Sequence, residues 1–249
     1  MSAIRSLAAA LVLSPAVAMA EPRVAVMSAF APELVALEAA IADAETQTIN
    51  GNRFVTGTLE GQAVVMVLSG VSLINAAMTT QLLLDRFEVE TIVFSGIAGG
   101  VNPALNIGDV VVAARWGTYL DVVMARETAD GFETPPFLTV EFPGFGMIHT
   151  RTPRVQSARG EEPEQRFWFD SDPDLLALAE TVAAETELAA CNDDGTCLGE
   201  PPRIVVGGNG VSGAAFVDNA DLRDWAHATF DAQVLDMESS AVAHVAYAN

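Results

Sequence analysis

The sequence predicts an α/β fold, a mixed sheet with helices on both faces, and three observations point to it. Short apolar runs such as RVAVMS and TIVF recur along the chain, stretches of helical period alternate with them, and the order runs strand, helix, hairpin, helix, strand. With 249 residues, 51% of them apolar, the chain can bury a sizeable core and is most simply one large domain.

Taken in order, residues 1–20 carry one arginine near the start, an apolar run from Leu7 to Leu13 and the small-x-small ending Ala18-Met19-Ala20. That is the pattern of a secretory signal peptide, too short for a membrane span, so the mature domain is expected over 21–249, exported to a periplasmic or extracellular compartment. Arg23 to Ser28 reads as the first strand. Pro32 opens a helix whose Leu34, Leu37 and Ile41 share a face. Glu33 then stands in the first helical turn, either as a partner of the helix dipole or as a functional carboxylate. Residues 53–59 and 62–68 flank Glu60-Gly61 as a hairpin, Ser69-Gly70 ends its second strand, and Ser72 is expected to cap a helix reaching about Phe87.

Thr91 to Phe94 is a further apolar strand, followed by a turn on Gly96, Gly99 and Gly100 and a strand opening at Gly108-Asp109. Glycines at the carboxyl end of a parallel strand bring backbone N–H groups close to a ligand, or simply permit a tight turn. The spacing is neither GxGxxG nor a phosphate loop. Residues 127–166, with TPPF, FPGFG and RTPR, exceed a usual connection and read as an active-site flap or a surface excursion. Helices are expected over 172–187, 220–230 and 239–247, with strands at 203–206 and 233–235.

Charge narrows the function. Asp and Glu number 33 against 12 arginines, and there is no lysine. That argues against nucleic acid as a partner and excludes a Schiff-base lysine. Cys191 and Cys197 bracket NDDGT and, in an exported chain, are expected to form a local disulfide. Two thiols with no neighbouring histidine make an incomplete metal site, His149, His227 and His244 stand singly, and neither a metal nor a cofactor is expected.

Five ordered segments, VAVMSAFAPELVALEAAI, VLSGVSLINAA, FSGIAGGVNPALNIGDVVV, VSGAAFVDN and LDMESSAVAHVA, resemble the nucleoside phosphorylase superfamily, most of all its methylthioadenosine/S-adenosylhomocysteine nucleosidase branch. The resemblance covers most of residues 23–249. It implies a three-layer α/β/α fold with a mixed central sheet and hydrolysis of the N-glycosidic bond of a purine nucleoside. Carried over residue by residue, it makes Glu33 the carboxylate near the attacking water and Glu238 the acceptor for the ribose hydroxyls, the two catalytic residues. Ser69, Gly96, Phe216, Val217 and Met237 become substrate-binding, with Phe216 stacked on the purine. Such cleavage passes through an oxocarbenium-like sugar, which two carboxylates and a positioned water suit.

Related phosphorylases carry an arginine just before the glycine turn, where this chain has Phe94, and residues 29–37 contain no basic residue. Water is therefore the expected nucleophile. The alternatives are a phosphorylase and a non-catalytic nucleoside-binding protein on the same fold. The resemblance implies a homodimer. It also implies a strand after the final helix ending in a Ser-Asp pair, whose Asp protonates the leaving base, so a C-terminally incomplete chain is expected. Asp218 is the substitute considered for that acid, although it more naturally caps the following helix.

Overall fold

The computed structural model describes residues 21–249, so the expected signal peptide lies outside the described residues. The elements run β1 (Arg23–Ser28), α1 (Ala31–Ala40), β2 (Ala42–Ile49), β3 (Asn52–Leu59), β4 (Gln62–Leu68), α2 (Leu73–Arg86), β5 (Val89–Phe94), β6 (Gly99–Gly100), β7 (Val110–Val112) and β8 (Arg115–Thr118). The connection from β8 to β15, which includes the long excursion, holds β9 (Val122–Met124), β10 (Arg126–Thr128), β11 (Gly131–Glu133), β12 (Ile148–Thr150), β13 (Arg154–Val155) and β14 (Glu164–Gln165). After it come β15 (Trp168–Asp170), α3 (Pro173–Glu185), β16 (Ile204–Val206), β17 (Asn209–Ser212), α4 (Ala220–Phe230), β18 (Ala232–Asp236) and α5 (Ser239–Ala248).

The fold is mixed α/β, as expected. One five-stranded sheet has the order β2-β3-β4-β1-β5, with β1 parallel to both β4 and β5. Strict alternation along its strands makes three layers. Val24, Val26, Val64 and Met66 face Leu34 and Leu37 of α1, while Ala25, Met27, Val65 and Val67 face Ala76 and Leu83 of α2 and Val242 of α5. Both turns of the β2-β3-β4 meander are two-residue turns with positive φ, Asn50-Gly51 (49° and 83°) and Glu60-Gly61 (47° and 82°). That geometry matches the twist of the flanking strands.

The second five-stranded sheet has the order β15-β8-β17-β18-β6. β8, β17 and β18 are parallel, and β15 and β6 close the edges antiparallel. The parallel pair β7-β16 runs into β8-β17 through Gly207 N–H to Val112 O and Ala114 N–H to Gly208 O, each 2.8 Å. Helix α5 packs against both sheets, contacting β5 on one side and β8, β15 and β17 on the other. Among the described residues no helix is long and apolar enough to cross a membrane.

Four local features differ from the sequence reading or go beyond it. Strand β2 was not foreseen, because ADAETQTI is polar and exposed over nearly its whole length and carries no apolar alternation. Ser72 stands at the N-cap of α2, with φ of 90°, and makes no side-chain cap bond. Asn219, not Asp218, caps α4, accepting the Leu222 N–H at 2.8 Å. The glycines at 96, 99 and 100 all lie outside the positive-φ region, and Gly99 and Gly100 pair as a short strand with β18.

The excursion packs on α4. Phe142 lies 4.5 Å from Phe167 and 4.9 Å from Phe230 between ring centroids, and Trp225 Nε1 donates to Pro143 O at 2.9 Å. Phe230, 3% exposed, is the centre of this aromatic group. Phe230→Ala should cost about 3–5 kcal/mol, read by urea denaturation, and should speed limited proteolysis within residues 127–166.

Candidate active site

The site forms where the parallel strands β1, β4 and β5 end, the usual ligand crevice of an open α/β sheet. β1 ends at Ser28, and a two-residue turn leads into α1 with Pro32 in its first turn. This fixes Glu33 one helical step inside. Its Oε2 accepts the N–H groups of Ala29 (2.7 Å) and Phe30 (3.1 Å), the reciprocal half of a capping box. Its Oε1 reaches across to the N–H of Ile97 at 2.9 Å, in the turn after β5.

That last bond gives Gly96 its reason. A Cβ at Gly96 would stand 2.9 Å from Glu33 Oε1 and 3.1 Å from its Cδ. The glycine therefore serves close approach of a carboxylate, and the free N–H of the turn is directed at Glu33. A carboxylate offers about four lone-pair directions, so three N–H bonds leave room for one more donor, such as a water.

Glu238 enters from the other half of the chain. It is 6% exposed at the N-cap of α5, yet its side chain makes no cap bond. Instead Oε1 accepts the Ser72 N–H at 2.6 Å, at the start of α2, and Oε2 accepts the Met237 N–H at 3.2 Å. Burial pushes the Glu238 carboxyl above the usual range. The Ser72 N–H opposes that shift, and the charges of Asp236 and Glu33 add to it.

The other predicted residues divide. Ser69 is 2% exposed, its Oγ donating to Gly70 O at 2.9 Å and its carbonyl accepting from Thr79 Oγ1 at 3.1 Å. With Phe30, Val71, Asn75 and Met78 it lines a cavity of about 640 Å³ beside the Ser72 turn. Met237 is half-buried next to Glu238. Val217 packs on the second core and, with Asp218, Gly99 and Leu235, lines a separate hollow of about 220 Å³. Phe216 is 87% exposed on the loop between β17 and α4. Cys191 and Cys197 are bonded at 2.05 Å, closing their exposed loop between α3 and β16. Among the described residues no group of three or more His, Cys, Asp or Glu side chains is arranged to hold a metal ion.

Two participants escaped sequence reasoning. The Ser72 backbone N–H has no sequence signal, because any residue supplies one. Asp236, buried at the end of β18, was legible only as an acidic residue closing an apolar strand.

The comparisons with known proteins agree with this architecture. The 5'-methylthioadenosine/S-adenosylhomocysteine nucleosidase of Staphylococcus carnosus is 28% identical over 225 residues, covering 90% of this chain and 79% of that protein. A shorter stretch of 93 residues is 41% identical to the nucleosidase of the same name from Bacillus thuringiensis, 37% of this chain and 40% of that one. Among solved structures, the S-adenosylhomocysteine nucleosidase of Streptococcus pyogenes in complex with 5-methylthiotubericidin superposes with a TM-score of 0.64 at 27% identity, covering 92% of this chain and 79% of its own. The family model described as the phosphorylase superfamily matches residues 23–249, the whole of the described domain but two residues, and the chain belongs to that superfamily.

Proposed function

We propose that the chain hydrolyses the N-glycosidic bond of a purine nucleoside of the methylthioadenosine, adenosylhomocysteine or adenosine type, releasing the base. The observation that carries this reading is the pair of carboxylates, Glu33 of α1 and Glu238 at the N-cap of α5, close enough for the charge of Glu33 to act on Glu238 and both held by backbone N–H groups. Glu238 accepts hydrogen bonds from the ribose hydroxyls. These strengthen as the sugar gains positive charge, which two nearby anions stabilise. Glu33, with a lone pair to spare, orients water toward the anomeric carbon and takes up its proton as the C–N bond breaks, while the departing base is protonated from solvent. Inorganic phosphate is a poor rival, since residues 29–37 and Phe94 supply no cation and the two carboxylates repel a dianion.

The same reading takes the chain to be exported, in keeping with the Cys191–Cys197 bond, which an oxidising compartment preserves. It also takes the chain to be a homodimer. Val71, Ile74 and Met78, 45%, 71% and 67% exposed, form an apolar stripe beside the cavity that a second copy would cover.

The first test is adenine release from methylthioadenosine, adenosylhomocysteine and adenosine, without and then with phosphate. Release at the same rate in both conditions is expected, and release only with phosphate would make the chain a phosphorylase. Bound nucleoside without release would make it a binding protein. Glu238→Ala should abolish nucleoside binding, read by calorimetry. Gly96→Ala should displace the Glu33 carboxylate and lower kcat by roughly 10²-fold while thermal stability changes little.

A further inference from the structure

Behind Glu238 lies a second buried carboxylate that contacts neither cavity. Asp236, 9% exposed, ends β18. Its Oδ1 accepts the Ser212 hydroxyl and the N–H groups of Glu238 (3.4 Å) and Ser239 (3.3 Å), and its Oδ2 accepts the Ser239 N–H (3.1 Å) and hydroxyl (2.5 Å). The chain of bonds continues outward. Ser212 Oγ accepts the Ser240 N–H at 2.8 Å, and Ser240 Oγ pairs with Thr118 Oγ1 at 2.8 Å.

An N-cap side chain ordinarily accepts an N–H from the first turn of its own helix. At α5 the N-cap is Glu238, and a cap bond there would turn its carboxylate back onto the helix. Asp236 takes the first-turn N–H instead, two residues upstream, and the Ser212–Ser240–Thr118 bonds fasten that turn to β17 and β8. Resting on the nucleosidase reading above, we propose that Asp236 is a positioning residue for the ribose site, substituting for Glu238 in capping α5 so that the Glu238 carboxylate is free to face the Ser72 N–H and the sugar.

Asp236 also acts on Glu238 through its charge. The charged groups facing Glu238 are Asp236 from β18 and Glu33 from α1, while α2 presents only its terminal N–H. Asp236 itself faces Tyr119, whose hydroxyl is buried without a hydrogen-bond partner among the described residues and is pushed up to about 12 by burial and then by Asp236. Replacing Asp236 by a neutral isostere removes one of the two negative neighbours of Glu238. The raised carboxyl of Glu238 then falls toward its ordinary range, so its charged form, and nucleoside binding with it, persists to lower pH.

The experiment is a ¹³C NMR titration of glutamate side-chain carboxyls in the unliganded protein, with the Glu238 signal identified by its loss in Glu238→Gln, together with methylthioadenosine affinity at pH 7.5. Asp236→Asn should lower the Glu238 midpoint and weaken affinity by roughly ten-fold, the scale of one hydrogen bond to a charged group. Ser212→Ala removes a bond that fixes the Asp236 carboxylate, so it should weaken affinity. It also reads the positioning role if Asp236→Asn does not fold. An unmoved midpoint in Asp236→Asn, or wild-type affinity in both variants, would overturn the inference. A wild-type protein that binds no nucleoside overturns the nucleosidase reading, and the titration of unliganded protein still decides whether Asp236 acts on Glu238.

Discussion

The bond from the Ser72 N–H to Glu238 joins parts of the chain 166 residues apart, and the organisation of the molecule turns on it. Ser72 begins α2, which packs on the first sheet, and Glu238 begins α5, which reaches across to the second. One carboxylate thus sets the two helix starts against each other. A buried acid at the N-terminus of a helix is favourably placed, because the unpaired N–H groups there carry partial positive charge. Glu33 makes the matching connection on the other side of the crevice, from the first turn of α1 to the turn after β5.

Much of this order was legible in the sequence where burial imposes a period. β1 and β4 are covered on both faces and read as continuous apolar runs, and the Glu60-Gly61 turn between β3 and β4 declares itself by composition. β2 was illegible because its pairing is through backbone alone, with side chains left in water. The Asn50-Gly51 turn was the signal that could have exposed it. At the site, the carboxylates were recognisable by residue type and order, but their partners were not. Ile97, Ala29, Phe30 and Ser72 contribute N–H groups that no side chain advertises. Asp218 and Asn219 were indistinguishable as caps in sequence, and only the backbone geometry gives the role to Asn219. The exposure of Phe216 likewise follows from the path of its loop rather than from its chemistry.

A division of labour runs through the charged residues. The ion pairs formed by Arg53, Arg126, Arg151, Arg166, Arg203 and Arg223 all have guanidinium groups at least partly in water. Such pairs contribute little individually. The carboxylates at the crevice and behind it, Glu33, Asp236 and Glu238, are met instead by backbone N–H and serine hydroxyl groups. Neutral donors leave the negative charge of Glu33 and Glu238 intact for a cationic sugar, whereas a bound arginine would cancel it. The cost is a desolvated anion pair, visible in the upward shift of Asp236 and Glu238.

That choice of neutral donors has a consequence for the surroundings the protein can work in. Dissolved ions weaken attractions between exposed charges over roughly 8–10 Å at physiological concentrations, and a chain with a formal net charge of −21 feels that screening over its whole surface. The bonds that aim Glu33 and Glu238 are short contacts to fixed dipoles, two of them made by the peptide backbone across the crevice. Their geometry is therefore nearly indifferent to ionic strength, so fresh and saline media would alter the approach of a ligand far more than the shape of the place that receives it.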